Sequence, residues 1–182
     1  MPAARSLAAV RNSVSMLILE TERLSLHHFE KGDAAFLLQI MNHPDYHRYI
    51  GDRELRSVAD AERFVAEAMI PPYERQGFGF WQMRLRETGE RAGFAGIIKR
   101  EVFDVADVGY AVDEKFYGKG FAQEATRGVL GFARETLGFS RVGAMTDPKN
   151  SASINVLIKC GFSFERLTPY LDKEVNFYLC DL

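Results

Sequence analysis

Residues 117–122 read YGKGFA, and from about Gly120 the chain carries a helical pattern. A bend with glycines at 118 and 120 ahead of a helix has the physics of an anion site. The first helical turn leaves N–H groups unpaired, and the helix dipole adds partial positive charge there. Missing side chains at Gly118 and Gly120 let a phosphate approach those amides closely. Lys119 adds charge that can serve phosphate or simply face solvent. The stretch is not a Walker loop, because Lys119 is followed by Gly120 rather than Ser or Thr. It also lacks the dinucleotide fingerprint, since the position three residues after Gly120 holds Gln123, which disfavours a Rossmann NAD enzyme. Taken alone, the bend reads as a pyrophosphate cradle or as an ordinary turn.

Other residues with chemical potential are sparse. Cys160 and Cys180 are the only cysteines, neither a disulfide framework nor a metal-ligand spacing. Cys160, in KCGF at a helix end, reads as packing. His43 and His47 stand four apart, but Pro44 lies between them and argues against a shared helical metal-binding face. No metal is expected. His27 and His28 alternate along a strand and face opposite sides.

The elements that must position these groups follow from periodicity. Residues 17–29 (LILETERLSLHHF) alternate as a strand interrupted by a polar turn at 20–23. AAFLLQIMN suits a short helix, and HPDYHRYIGD reads as irregular. Ser57 and Asp60 resemble a capping box opening a helix with Val58, Ala61, Phe64, Val65, Ala68 and Met69 on one face, which Pro71-Pro72 stops. Residues 78–100 read as a hairpin with Gly89 in its turn, and 107–112 (DVGYAV) as a short strand. Ala122, Ala125, Val129, Phe132, Ala133 and Leu137 stripe a long helix that Gly138 caps. A strand over 141–147, a helix from Asn150 to Gly161, and two closing strands complete one mixed α/β domain over 16–182. Phe78, Phe80 and Trp81 read as core or as an acceptor clamp, and Tyr178 is open in the same way.

Bulk properties exclude some partners. With 182 residues, 47% hydrophobic content and formal net charge -2, the chain suits one domain with a sizeable core. No basic footprint points to nucleic acid and no polybasic patch to a membrane surface. No apolar run is long enough to span a bilayer. Reduced thiols make the cytoplasm the expected compartment. Residues 1–15 hold two arginines and no acid, which reads as a transit peptide, as a loosely ordered extension, or as an over-long start ahead of Met16.

Several motifs stand in a fixed order: LETERLSL (19–26), GFW (79–81), GFAGI (93–97), DVGYAV (107–112), YGKGFAQEA (117–125) and DPKNSASINVLIKCGF (147–162). As an ordered set they resemble the GNAT superfamily of acetyl-CoA-dependent N-acetyltransferases, and within it the branch of ribosomal-protein N-terminal acetyltransferases. The resemblance implies an α+β domain with a mostly antiparallel mixed sheet of about seven strands, splayed between strands 4 and 5, and about four helices. It also implies acetyl-CoA as acyl donor. The acceptor would be a primary amine: a peptide N-terminus, or a small molecule such as an aminoglycoside or polyamine. The protein would act as a monomer or homodimer.

The same resemblance implies site residues. Amides of Tyr117, Gly118, Lys119, Gly120, Phe121 and Ala122 would hold the CoA pyrophosphate. Tyr117 stands where the superfamily usually has Gln or Arg. Tyr110, Ala111 and Val112 would pair with the pantetheine arm, with Asn150 and Asn155 beside the cofactor. The Val112 N–H would be the oxyanion donor. Asp107 stands where related enzymes often carry Glu, and reads as a base acting through water or as a solvated strand-start acid. The superfamily's acid tyrosine is replaced by Leu157, so Ser153 would protonate the leaving thiolate, unless it is only a first-turn serine bound to backbone. The need for a base depends on the acceptor. An α-amino group with pKa about 8 is roughly a tenth free at pH 7, a lysine amine only about one part in a few thousand. A non-catalytic acyl-CoA-binding domain of the same fold is the alternative.

Overall fold

The structure, a computed structural model, describes residues 15–182, so the extension expected at residues 1–15 lies outside it except for Ser15. The Ser15 hydroxyl donates to the His28 carbonyl at 2.7 Å, tying the first described residue to the sheet.

Eight strands form one sheet: β1 (Leu17–Glu20), β2 (Leu24–His27), β3 (Phe80–Leu85), β4 (Arg91–Ile98), β5 (Asp107–Val112), β6 (Arg141–Thr146), β7 (Ser163–Tyr170) and β8 (Lys173–Asp181). Their order is β1-β2-β3-β4-β5-β6-β8-β7, antiparallel except for the parallel β5–β6 pair. The count exceeds the expected seven because 17–29 folds as a hairpin. Its polar turn closes with the Thr21 N–H on the Leu24 carbonyl at 2.8 Å.

Among the described residues there are six α-helices: α1 (Ala34–Met41), α2 (Pro44–Tyr49), α3 (Val58–Phe64), α4 (Pro71–Gln76), α5 (Phe121–Glu135) and α6 (Ser151–Lys159). Two of them depart from the sequence expectation, and proline is the reason in both. HPDYHR is helical rather than irregular. Pro44 occupies the first helical turn, where its missing N–H costs nothing, and His43 Nδ1 accepts from the Asp45 N–H as a cap. Pro71-Pro72 likewise open α4 instead of ending the preceding helix. That helix passes from α3 into a π-helical turn over Val65–Met69 before reaching them.

Each face of the sheet carries its own apolar layer. Leu37, Ile40, Ala61, Val65 and Met69 from α1, α3 and the π turn pack against Phe94. On the other face Ala125, Val129, Leu130 and Ala133 of α5, with Leu157 of α6, cover Leu26, Trp81, Ile97, Val108 and Val142. Burying Val129 and Leu130 alone contributes roughly 1.5–3 kcal/mol each. Strand alternation puts Trp81 and Phe80 of β3 on opposite faces, and Phe78 lies ahead of the strand. Trp81 and Phe78 lie in the core, whereas Phe80 packs edge-on against Phe94 at 5.2 Å and lines the cleft. Tyr178 is core, with Phe164 edge-on against it. In GFAGI, Gly96 lets β4 lie directly on the Gly79 carbonyl and Phe80 backbone, where a Cβ has no room.

The feature that matters most for function is the β5–β6 seam. Only Asp107↔Gly143 and Val108↔Ala144 pair across it. Beyond them the strands separate, β5 staying with β4 and β6 with β8. The phase of the β4–β5 ladder decides which amides face the opening. Asp113 N–H bonds Ala92 O at 2.9 Å, and the register runs unbroken from that pair. Antiparallel alternation then turns the main-chain groups of Val108, Tyr110 and Val112 away from β4. Val108 meets β6; Tyr110 and Val112 face the open splay.

Candidate active site

The splay opens into a single cleft of about 710 Å³. One end is built by the glycine bend, β5 and α6, the other by α2, the loop after it, the β4–β5 loop and the β7–β8 hairpin.

At the first end the local sequence dictates the geometry. Gly118 and Gly120 have φ of +74° and +80°, the left-handed region that glycine enters without strain. Gly120 caps α5, whose first intrahelical bond runs from the Glu124 N–H to Gly120 O at 3.0 Å. The N–H groups of Gly118, Gly120, Phe121, Ala122 and Gln123 therefore have no protein partner among the described residues, and all five residues line the cleft. Lys119 does not line it; its ammonium sits 5.1 Å over the Phe116 ring.

A network that the sequence reading missed holds this bend in place. Glu124 accepts from the Thr21 hydroxyl (2.6 Å), the Arg23 amide (2.7 Å) and Arg23 Nε (2.6 Å). Arg23 Nη1 in turn donates to the Lys119 carbonyl at 3.0 Å. Burial would raise the Glu124 pKa, but the Thr21 and Arg23 hydrogen bonds outweigh it and the carboxyl titrates below its ordinary value. A depressed carboxylate contributes stability that is full above the unfolded pKa of about 4.3 and is lost as pH falls through the lower folded value. Glu124→Gln is thus expected to lower stability at pH 7 by about 1 kcal/mol, or ~2–4 °C in Tm. Thermal melts of both proteins across pH should show that gap closing as the solution is made acidic.

Tyr110 and Ser153 meet across the cleft. The Tyr110 hydroxyl lies 2.9 Å from Ser153 Oγ. Burial, opposed by that hydrogen bond, pushes the phenol pKa up to about 12, so it stays protonated at neutral pH. Asn150 caps α6 by accepting from the Ser153 N–H at 3.1 Å, which fixes the start of the helix and the place of the serine. Asn150 and the exposed Asn155 both line the cleft, as do Tyr110, Ala111, Val112 and the half-exposed Tyr117.

Asp107 is not a solvated strand-start acid. It sits at the vertex of the splay, 1% exposed, with Oδ2 bonded to Arg100 Nη1. Its Oδ1 is buried without a partner among the described residues. Strand alternation places it on the same face as Ala111, toward Phe94 and α1, whereas Tyr110 faces α6. The other titratable residues are engaged in structure. His43 bonds Glu114 Oε2 at 2.9 Å, and His28 stacks on Tyr73 with burial lowering its pKa. Burial raises the pKa of both Cys160 and Cys180. Among the described residues no group of three or more His, Cys, Asp and Glu could hold a metal ion, and no helix is long and apolar enough to cross a membrane.

A mixed sheet splayed at its one parallel seam, with unpaired amides at a glycine-started helix beside the opening, defines a GNAT-type acyltransferase fold. The chain belongs to the GNAT acetyltransferases: the family described as "Acetyltransferase (GNAT) domain" matches residues 23–163. It is 30% identical over 149 residues to the uncharacterized N-acetyltransferase YoaA of Bacillus subtilis (strain 168), covering 81% of this chain and 84% of that protein. The crystal structure of an acetyltransferase from Agrobacterium tumefaciens str. C58 superposes with a TM-score of 0.78 at 26% identity, over 90% of this chain and 94% of that one. RimL, a ribosomal L7/L12 α-N-protein acetyltransferase solved with coenzyme A, shares the fold at 19% identity and a TM-score of 0.68, over 91% and 98% of the two chains.

Proposed function

We propose that the protein transfers the acetyl group of acetyl-CoA to a primary amine by direct attack within a ternary complex. The observation that carries this reading is the set of unpartnered amides at Gly118 and from Gly120 to Gln123, opening onto the unpaired edge of β5. Those amides and the positive end of α5 suit the pyrophosphate, and the free main-chain groups of Tyr110 and Val112 suit the amide-bearing pantetheine arm. RimL, of the same fold, is known with coenzyme A bound, which supports the choice of donor.

Acetyl-CoA supplies an acyl group activated as a thioester. The protein's own groups then divide the work. Asp107 Oδ1 receives an N–H of the acceptor amine and holds the nitrogen lone pair toward the carbonyl carbon; the proton released on attack passes to it or to water. The Val112 N–H donates to the carbonyl oxygen, where negative charge develops. As the new C–N bond forms and the C–S bond breaks, Ser153 Oγ gives its proton to the departing sulfur. The Tyr110 hydroxyl, still protonated, stands ready to return one.

Free-thiol release from acetyl-CoA, followed across a panel of amines, tests the proposal. Acceptor-dependent release is expected. Tight acetyl-CoA binding with no release across the panel would instead establish a non-catalytic binding domain, a reading that the N-acetyltransferase relatives do not favour.

A further inference from the structure

The acceptor end of the cleft has a charge pattern of its own. Its wall includes Tyr46 and Arg53 from α2 and the loop after it, Arg100 from the β4–β5 loop, and Tyr170 and Lys173 from the β7–β8 hairpin. Arg100 gives Nη1 to Asp107 and Nε to the Tyr170 hydroxyl at 3.1 Å, while Nη2 has no protein partner among the described residues. Arg53 makes no ion pair among the described residues, and its charge acts on the Tyr46 phenol, opposing the rise in pKa that burial causes there. Lys173 donates to the Tyr49 carbonyl at 2.8 Å and stands 3.9 Å from Asp147. Three cations thus face two carboxylates, Asp107 and Asp147, and Arg53 is the surplus charge. The cleft's remaining acids, Asp45 at the start of α2, Asp113 and Glu114, lie near Tyr117. There Asp113 accepts from Gln39 at 3.1 Å and Glu114 holds His43.

The exposed Arg53 and the largely buried Arg100 share one wall and repel each other. Burial first, and the Arg53 charge as well, lower the Arg100 pKa against the pull of Tyr170. A bound anion would relieve that repulsion, and free guanidinium N–H groups favour carboxylate and phosphate oxygens. Beside them the unpartnered Oδ1 of Asp107 asks for a donor. Because Asp107 and Arg100 are in direct contact, the donor and the anion must lie only a few bonds apart in the ligand.

We infer that the acceptor is a small amine carrying its own carboxylate or phosphate, its nitrogen on Asp107 Oδ1 and its anion on Arg100 and Arg53. This rests on the N-acetyltransferase reading above. A polyamine or aminoglycoside would bring further cations against the two arginines, and a peptide N-terminus carries no anion close to its amine unless its first residues are acidic.

The test measures kcat/KM with acetyl-CoA for the twenty L-amino acids against the available amino-acid amides, and for O-phosphoethanolamine against ethanolamine. Spermidine, kanamycin and N-terminal peptides with and without acidic second residues complete the panel. At least one anionic amine should exceed its neutral counterpart by about tenfold, the weight of one charge-assisted hydrogen bond. The carboxylate and phosphate arms separate the two sources of the anion. In the exposed-site variant Arg53→Gln, KM for the anionic acceptor should rise by about tenfold. The neutral counterpart and the KM for acetyl-CoA should not change, a selectivity that general loss of structure would not produce. Preference for neutral amines, spermidine, kanamycin or peptides, or an Arg53→Gln protein with the same anionic-to-neutral ratio, overturns the inference while leaving the acetyltransferase reading standing. Acetyl-CoA binding without thiol release from any amine removes both.

Discussion

Gly120→Trp is expected to abolish saturable binding of acetyl-CoA while the protein still folds. The backbone at Gly120 is left-handed, at φ +80°, which costs a side-chain-bearing residue about 1–2 kcal/mol. That is a few degrees of Tm in a chain of this length. The fold tolerates a Cβ there, because its only neighbour within 4 Å would be Arg23 Nη2 at 3.5 Å, the far end of a flexible side chain. The indole, however, would fill the space over the free amides of Gly118 and of Gly120 to Gln123. Each charge-assisted hydrogen bond removed is worth about 1.5–3 kcal/mol, so losing two weakens binding by at least about 10²-fold. Titration calorimetry with acetyl-CoA, alongside circular dichroism, reads both parts. Gly118→Ala, also at positive φ but with open space around its Cβ, gives the cost of strain without the obstruction. Unchanged affinity in Gly120→Trp would remove the bend as the pyrophosphate site.

Ser153→Ala is expected to lower kcat by about 10²-fold, the lower end of what a positioned proton donor contributes. A coenzyme thiol of pKa near 8.5 leaves as thiolate more readily than an alcohol, so the penalty is not larger. Because the interaction exists chiefly as the C–S bond breaks, kcat and kcat/KM should fall together and the KM for acetyl-CoA should hold. Tyr110→Phe keeps the serine but removes its partner at 2.9 Å, and should fall between the wild type and Ser153→Ala. Steady-state thiol release by the three proteins decides the point. Full activity in Ser153→Ala would reduce the residue to a first-turn serine.

The cradle and the acceptor wall were legible to very different degrees. Gly118, Gly120 and the apolar stripe of α5 act within a dozen consecutive residues, so their conformation is a local property that spacing reveals. The alternation in DVGYAV announces a strand in the same way. It does not say which of its amides stay unpaired, because that depends on where β6 leaves β5. The anchoring of the bend by Glu124 and Arg23 joins residues about a hundred positions apart. α2 escaped notice because PDYHRY has no apolar period; a proline in its first turn and a cap from His43 make it a helix.

Asp107 shows the boundary most sharply. From its neighbours in the chain it was a base or a solvated acid. Folding buries it, gives one oxygen to Arg100 and leaves the other vacant at the vertex of the splay. Local order in the chain was enough to set the strand, the glycine turn and the helix, since each rests on contacts between near neighbours. The acceptor wall, with Arg53, Arg100 and Lys173 drawn from three distant segments, exists only once the chain is folded. The energy of charges depends on their distance in space, and position along the sequence does not set it.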